Sequence, residues 1–62
     1  MDMDEMDNGL RVRWLTAGGE LAGTIVFQVD TVELHLDNGD EREVSLFGDV
    51  HPDDLEVIGD PS

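Results

Sequence analysis

The tripeptide Asp37-Asn38-Gly39 lies between two runs of alternating apolar and polar residues, and it fixes how those runs can pair. Before it, Val32, Leu34 and Leu36 alternate with Glu33 and His35; after it, Val44 and Leu46 alternate with Glu43 and Ser45. This is the pattern of strands buried on one face. Register decides which side chains share that face. A two-residue loop at Asn38-Gly39 would set Leu36 against Glu41 and Leu34 against Glu43, apolar against charged. A three-residue loop, with a type I turn through Asp37 and Asn38 and Gly39 as a left-handed bulge, sets Leu34 opposite Arg42 and Val32 opposite Val44. Val32, Val44, Leu36 and Leu46 then fall on one face. The bulged hairpin is therefore expected, with Gly39 present for its positive φ.

Around this hairpin the chain reads as a succession of short strands. Gly9 to Leu15 alternates Leu10, Val12 and Trp14 with Arg11 and Arg13 and is expected to form the first strand. Thr16 to Ala22 contains Gly18-Gly19 and reads as a connecting loop. Ile25, Phe27 and Val29 are expected to form the inward face of a second strand, with a short turn near Asp30-Thr31. Asp49 to Asp54 reads as a turn or single 3₁₀ turn entered through Pro52, followed by a last strand from Leu55 to Ile58. Phe47 follows Leu46 directly and breaks the alternation. It either folds over the open end of the sheet, the favoured reading, or faces solvent as a contact for a partner. The domain is expected to span 9–59, with 1–8 a disordered acidic tail and 60–62 a short C-terminal tail.

Composition limits what this scaffold can do. Sixty-two residues without cysteine allow one small domain and no disulfide framework. At the usual stability per residue such a domain holds on the order of 3 to 9 kcal/mol. No apolar run approaches the ~18 residues that span a bilayer, and the N-terminal residues have neither the basic nor the apolar region of a signal peptide. A cytoplasmic protein without membrane contact is expected. Sixteen Asp and Glu stand against three Arg and no Lys, a net charge of −13. Such a surface repels itself, nucleic acid and anionic lipid in dilute salt. At molar salt the Debye length falls to about 3 Å and the repulsion is screened. The balance is that of a salt-saturated cytoplasm such as that of halophilic archaea; rival readings are an acidic nucleic-acid mimic and an acidic module docking on a basic partner.

Catalytic chemistry is hard to assemble from this chain. Ser45 lies in a strand, Ser62 at the end, and neither His35 nor His51 has an evident nucleophile to activate. His51 with Asp49, Asp53 and Asp54 has the composition of a metal site, but these are neighbours in one turn, and a solvated turn is the expected reading. His35 is expected on a polar strand face beside Glu33. Gly18-Gly19 lacks the lysine, the hydroxyl partner and the helix of a phosphate loop. No enzyme activity, cofactor or metal is expected.

The residues Gly23-Thr24-Ile25-Val26, the strand Val32 to Leu36 and the ending Asp54-Leu55-Glu56-Val57-Ile58 resemble the small SH3-like barrels, including the KOW and Tudor-like groups. The resemblance spans about Leu10 to Ile58. It implies an all-β fold, a small five-stranded antiparallel SH3-like barrel with a 3₁₀ turn before the last strand, and gives Gly23 a role in backbone geometry. It also implies binding rather than catalysis. Two functions follow as expectations. One is a protein-interaction module that docks on a protein partner, or on a second copy as a homodimer, through a strand edge or the face near Trp14 and Phe47. The other is an RNA-binding barrel using Arg11, Arg13 and Arg42. Arg11 and Arg13 beside Trp14 can hold a phosphate or stack a base; the simpler reading pairs both with carboxylates and turns Trp14 into the core.

Overall fold

A computed structural model describes residues 3–59. The chain is all-β: β1 (Arg11–Thr16), β2 (Gly19–Phe27), β3 (Val32–Leu36), β4 (Glu41–Val44) and β5 (Leu55–Gly59) form one antiparallel sheet in the order β4-β3-β2-β1-β5. A 3₁₀ turn at Pro52–Asp54 precedes β5, as expected, and a second lies at Met3–Glu5. The outer dimensions are 30 × 27 × 22 Å. The buried residues of the strands lie on one face of the sheet, with Arg11, Arg13, Glu33 and His35 on the other. All five strands contribute to the buried core, through Val12, Ile25, Leu34, Leu36, Val44 and Leu55. Trp14 and Val32 pack against it half-buried.

The hairpin forms in the expected register, with Val32 opposite Val44 and Leu34 opposite Arg42. Gly39 N–H donates to the Leu36 carbonyl at 3.0 Å and Leu36 N–H to the Asp40 carbonyl at 2.8 Å, which is the turn followed by the bulge. Gly39 carries a φ of +99°. Gly23 has a different task. It stands between Val12 of β1 and Leu36 of β3, and a Cβ there would lie 2.8 Å from the His35 carbonyl oxygen and 2.8 Å from Leu34 Cδ1. The glycine lets β2 and β3 approach closely at this pair.

Several expectations are corrected by the pairing. Thr16 to Ala22 is not a loop: β1 and β2 form a tight hairpin in which Thr16 pairs with Gly19 and Trp14 with Leu21. The two glycines make a turn there, with Gly19 at a φ of +129° and its carbonyl accepting from Thr16 Oγ1 at 2.7 Å. Val29 does not face inward, because β2 ends at Phe27 and Gln28 N–H donates to the Thr31 carbonyl at 2.8 Å, closing a turn that holds Val29 outside. Phe27 is likewise about half exposed. Leu46 leaves the core face because β4 ends at Val44. The next residues turn back, Gly48 N–H donating to the Ser45 carbonyl, and Val50 takes the core position beside Val44 through a parallel bridge.

The N-terminal stretch also departs from expectation. Residues 1 and 2 lie outside the described residues, as do 60–62. Met6, however, is 4% exposed and belongs to the core, together with Leu10. Asn8 Oδ1 accepts from Phe27 N–H at 3.0 Å, and Gly9 N–H donates to the Ile25 carbonyl at 2.7 Å. A methionine set among acids gives no periodicity to read, yet its side chain joins the buried core.

Candidate functional site

The expected basic stripe divides on folding. Arg11 and Arg13 stand on the outer face of β1, two residues apart. Arg42 lies opposite the fully buried Leu34, so it belongs to the other face, on the edge strand β4, with β3 and β2 between it and β1. The structure does not bring the three together. Both β1 arginines are also engaged. Arg11 forms a two-pronged contact with Asp37, Nη1 to Oδ1 at 2.9 Å and Nη2 to Oδ2 at 2.8 Å, and Nη1 donates to Thr24 Oγ1 at 2.8 Å. Asp37 belongs to the β3–β4 turn, so this pair ties that turn to β1 across β2. Arg13 reaches Glu56 of β5 at 2.9 Å and Glu20 of β2 at 3.4 Å. Arg42 has a loose partner in Asp40 at 3.9 Å.

These contacts shift the titration of the groups involved. The hydrogen bond from Arg11 holds the Asp37 carboxyl below its ordinary value of 3.8 and raises Arg11 in turn. Arg13 is raised first by its hydrogen bond to Glu56, then by the charge of Glu20. A carboxyl depressed in the folded state contributes stability that is present above its unfolded pKa and is lost as pH falls through the folded one. The Arg11–Asp37 link is therefore complete at neutral pH. A phosphate reaching either arginine would have to displace a carboxylate already in place.

Trp14 has apolar neighbours across the sheet. It pairs with Leu21 on one side and Leu55 on the other, and packs half-buried against the core. It closes the row rather than standing out as a stacking platform.

The two most exposed large apolar side chains among the described residues, Val29 and Phe47, lie instead in the β2–β3 turn and shortly after the end of β4. A cleft of about 350 Å³ opens there, with Phe27, Val29, Val32 and Val44 as apolar lining and Asp30 and Glu43 as acidic lining. Val29 is 98% exposed at the turn, and Phe47, two residues beyond the cleft-lining Ser45, is 98% exposed as well. The favoured expectation that Phe47 folds over the open end is thus overturned. Its N–H is held by Ser45 Oγ at 3.2 Å, which fixes the turn with the ring outward. Met6 and Val50 belong to the core, and Phe47 does not.

Of the five residues expected at a binding surface none lines this cleft: Phe47 follows its last lining residue, Ser45, by two positions, Arg11, Arg13 and Arg42 are spread over two faces, and Trp14 packs on the core. Phe27, Val29 and Leu46 were missed as surface residues because each continues an alternation that would bury it if the strand ran on. The expected turn near Asp30-Thr31 already put Val29 beside a chain reversal, and the pairing of Phe27 with Val32 leaves Val29 within that turn.

His51 caps the 3₁₀ turn, its Nδ1 accepting from Asp53 N–H at 3.1 Å, so one ring nitrogen has a structural task. Among the described residues no helix is long and apolar enough to cross a membrane. Comparison with protein-family models, curated proteins and solved structures finds no match to this chain.

Proposed function

We propose that this chain is a non-catalytic interaction module of the SH3-like kind, which docks on a protein partner through the cleft between the β2–β3 turn and the end of β4. The observation that carries this reading is the nearly fully exposed Val29 on the lining of a partly apolar cleft, with an equally exposed Phe47 two residues after the cleft-lining Ser45. Contiguous exposed apolar surface rimmed by charge is the usual mark of an interaction site. The acidic lining residues Asp30 and Glu43, on a chain of net charge −13, favour a partner segment that presents an apolar side chain flanked by Lys or Arg. A second copy is less favoured, because it would bring two equally acidic surfaces together. The edge strand β4 carries three charges in four residues, Glu41, Arg42 and Glu43, which discourages strand addition there.

The acidic, lysine-free composition supports a salt-rich cytoplasm as the setting of this activity. Diffuse attraction is screened at molar salt, so apolar contact supplies the affinity and the basic flank sets orientation at close range. The RNA-binding alternative has less support, since Arg11 and Arg13 are held by carboxylates and Arg42 lies on the other face.

The test is selection from a displayed peptide pool in molar KCl. Peptides with an apolar residue beside Lys or Arg are expected to be enriched, and the double variant Val29→Ser, Phe47→Ser is expected to bind them about tenfold more weakly, the scale of one interface anchor. Neither side chain is in the core, so the variant should melt like the parent. Equal binding by parent and variant would exclude this surface, and a doubled mass in solution without peptide would favour the second copy.

A salt series checks the setting. The β signal in circular dichroism and the cooperativity of its melt are expected to strengthen from dilute buffer to molar KCl, as screening relieves the repulsion among the acids. Equal stability at both salts would remove the halophilic reading.

A further inference from the structure

On the outer face of the hairpin, the register gathers three side chains that the sequence separates. His35 of β3 stands directly opposite Glu41 of β4, and Glu33 lies two residues before His35 on the same face. His35 Nε2 is 3.0 Å from Glu33 Oε1 and 3.3 Å from Glu41 Oε1. One ligand atom from each residue falls within 4.8 Å of the other two. Both carboxylates thus converge on a single ring nitrogen.

The surroundings leave this face short of positive charge. Glu33 is directly opposite Glu43, a cross-strand pairing of like charges that is destabilising by itself. The Glu43 side chain turns away toward Gly48, where an added Cβ would meet its Oε1 at 3.3 Å. Arg11 is committed to Asp37, Arg13 to Glu56 and Glu20, and Arg42 belongs to the opposite face. Gln28 Nε2 donates to Glu33 Oε1 at 3.3 Å, an orienting contact from outside the cluster. A hairpin that directs two glutamates at one imidazole, with no arginine to neutralise them, offers three ligand atoms to a cation between β3 and β4.

We propose that Glu33, His35 and Glu41 form a binding site for a zinc-class divalent metal ion. The donor set selects the ion. Calcium and magnesium take six or more oxygen ligands, and an imidazole nitrogen with two carboxylates suits zinc and its neighbours. Bonds of about 2.0 to 2.2 Å in a tetrahedron place neighbouring ligand atoms roughly 3.3 Å apart, close to the separations already present. The protein supplies three ligands on two adjacent strands, and the side chains are one-third to two-thirds exposed, so the remaining position is open to water or to a group from a partner. His35 was expected to be a bystander on a polar face; Glu41 joins it only through the bulged register.

The experiment is calorimetric titration of the full chain with Zn²⁺ at neutral pH and ~1 M potassium nitrate, where diffuse attraction to the acids is screened. One ion per chain is expected. His35→Gln and Glu41→Gln should each weaken binding by about tenfold or more, with an unchanged β signal showing that the fold remains. His51→Gln should bind as the parent does, and excess Ca²⁺ should not compete. Co²⁺ should broaden the His35 ring resonances ahead of those of His51. Absence of binding, equal binding by His35→Gln, or displacement by Ca²⁺ would each overturn the site.

Discussion

Replacing Gly23 by alanine is expected to remove a large share of the domain's stability, although it adds one methyl group. The new Cβ would lie 2.8 Å from the His35 carbonyl oxygen, 2.8 Å from Leu34 Cδ1 and 3.1 Å from Leu36 Cα. Two of these are backbone atoms of β3, so relief requires β2 and β3 to move apart at the pairs that connect the hairpin to the rest of the sheet. Overpacking of this kind costs typically 1 to 3 kcal/mol and sometimes more, against roughly 3 to 9 kcal/mol for a chain of this length. Gly18→Ala is the control. Its Cβ would meet Thr16 Oγ1 at 3.9 Å, an ordinary contact, and the backbone there needs no positive φ. Urea unfolding should show a clearly lower midpoint for Gly23→Ala and a shift within about 0.5 kcal/mol for Gly18→Ala. Equal midpoints for the two variants would contradict the close approach of β2 and β3.

Met6→Ala is expected to destabilise nearly as much, for the opposite reason. Truncating a buried methionine removes its transfer energy and leaves a cavity, a loss of about 2 to 5 kcal/mol. The side chain belongs to the core at an end of the sheet where Asn8 and Gly9 also hydrogen-bond to β2. Little else can collapse into that space, and a protein of this size has little stability in reserve. Thermal melts of the parent and Met6→Ala in molar KCl decide the point. A variant that melts with the parent would return residues 3–8 to the status of a loose tail.

These two positions also show where sequence reasoning was strong and where it failed. The β3–β4 hairpin was legible because two constraints had to agree: the alternation on both sides and the geometry of Asp37-Asn38-Gly39 permit one register that keeps apolar residues together. The steric reason for Gly23 lay outside the sequence, because it depends on its pairing with β3. Met6 was not legible, since a single apolar residue among acids has no period and its burial depends on where β2 runs. The β1–β2 hairpin was missed because Gly18-Gly19 signals a break equally well for a loop and for a tight turn between paired strands. Leu46 and Val50 exchanged roles because β4 stops after four residues, which alternation alone does not reveal.

The candidate site was legible to a lesser degree. Phe47 stood out as a break in the pattern, but its outward position depends on the turn held by Ser45. The face of Arg42 was implicit in the expected register, because a residue opposite Leu34 must share its face, and this separates Arg42 from Arg11 and Arg13. The Glu33–His35–Glu41 cluster was implicit in the same way. Side chains on adjacent strands meet through register, so contacts between them follow only after the pairing is known.

The most direct test of the interaction module is an amide NMR spectrum of labelled protein in molar KCl, recorded with the selected peptide and separately with a pool of short single-stranded RNA. The expected result is that the peptide moves resonances from Phe27 to Val32 and from Val44 to Phe47, while RNA moves none. RNA-induced shifts at Arg11, Arg13 and Arg42, or a peptide that leaves the β2–β3 turn unmoved, would contradict it.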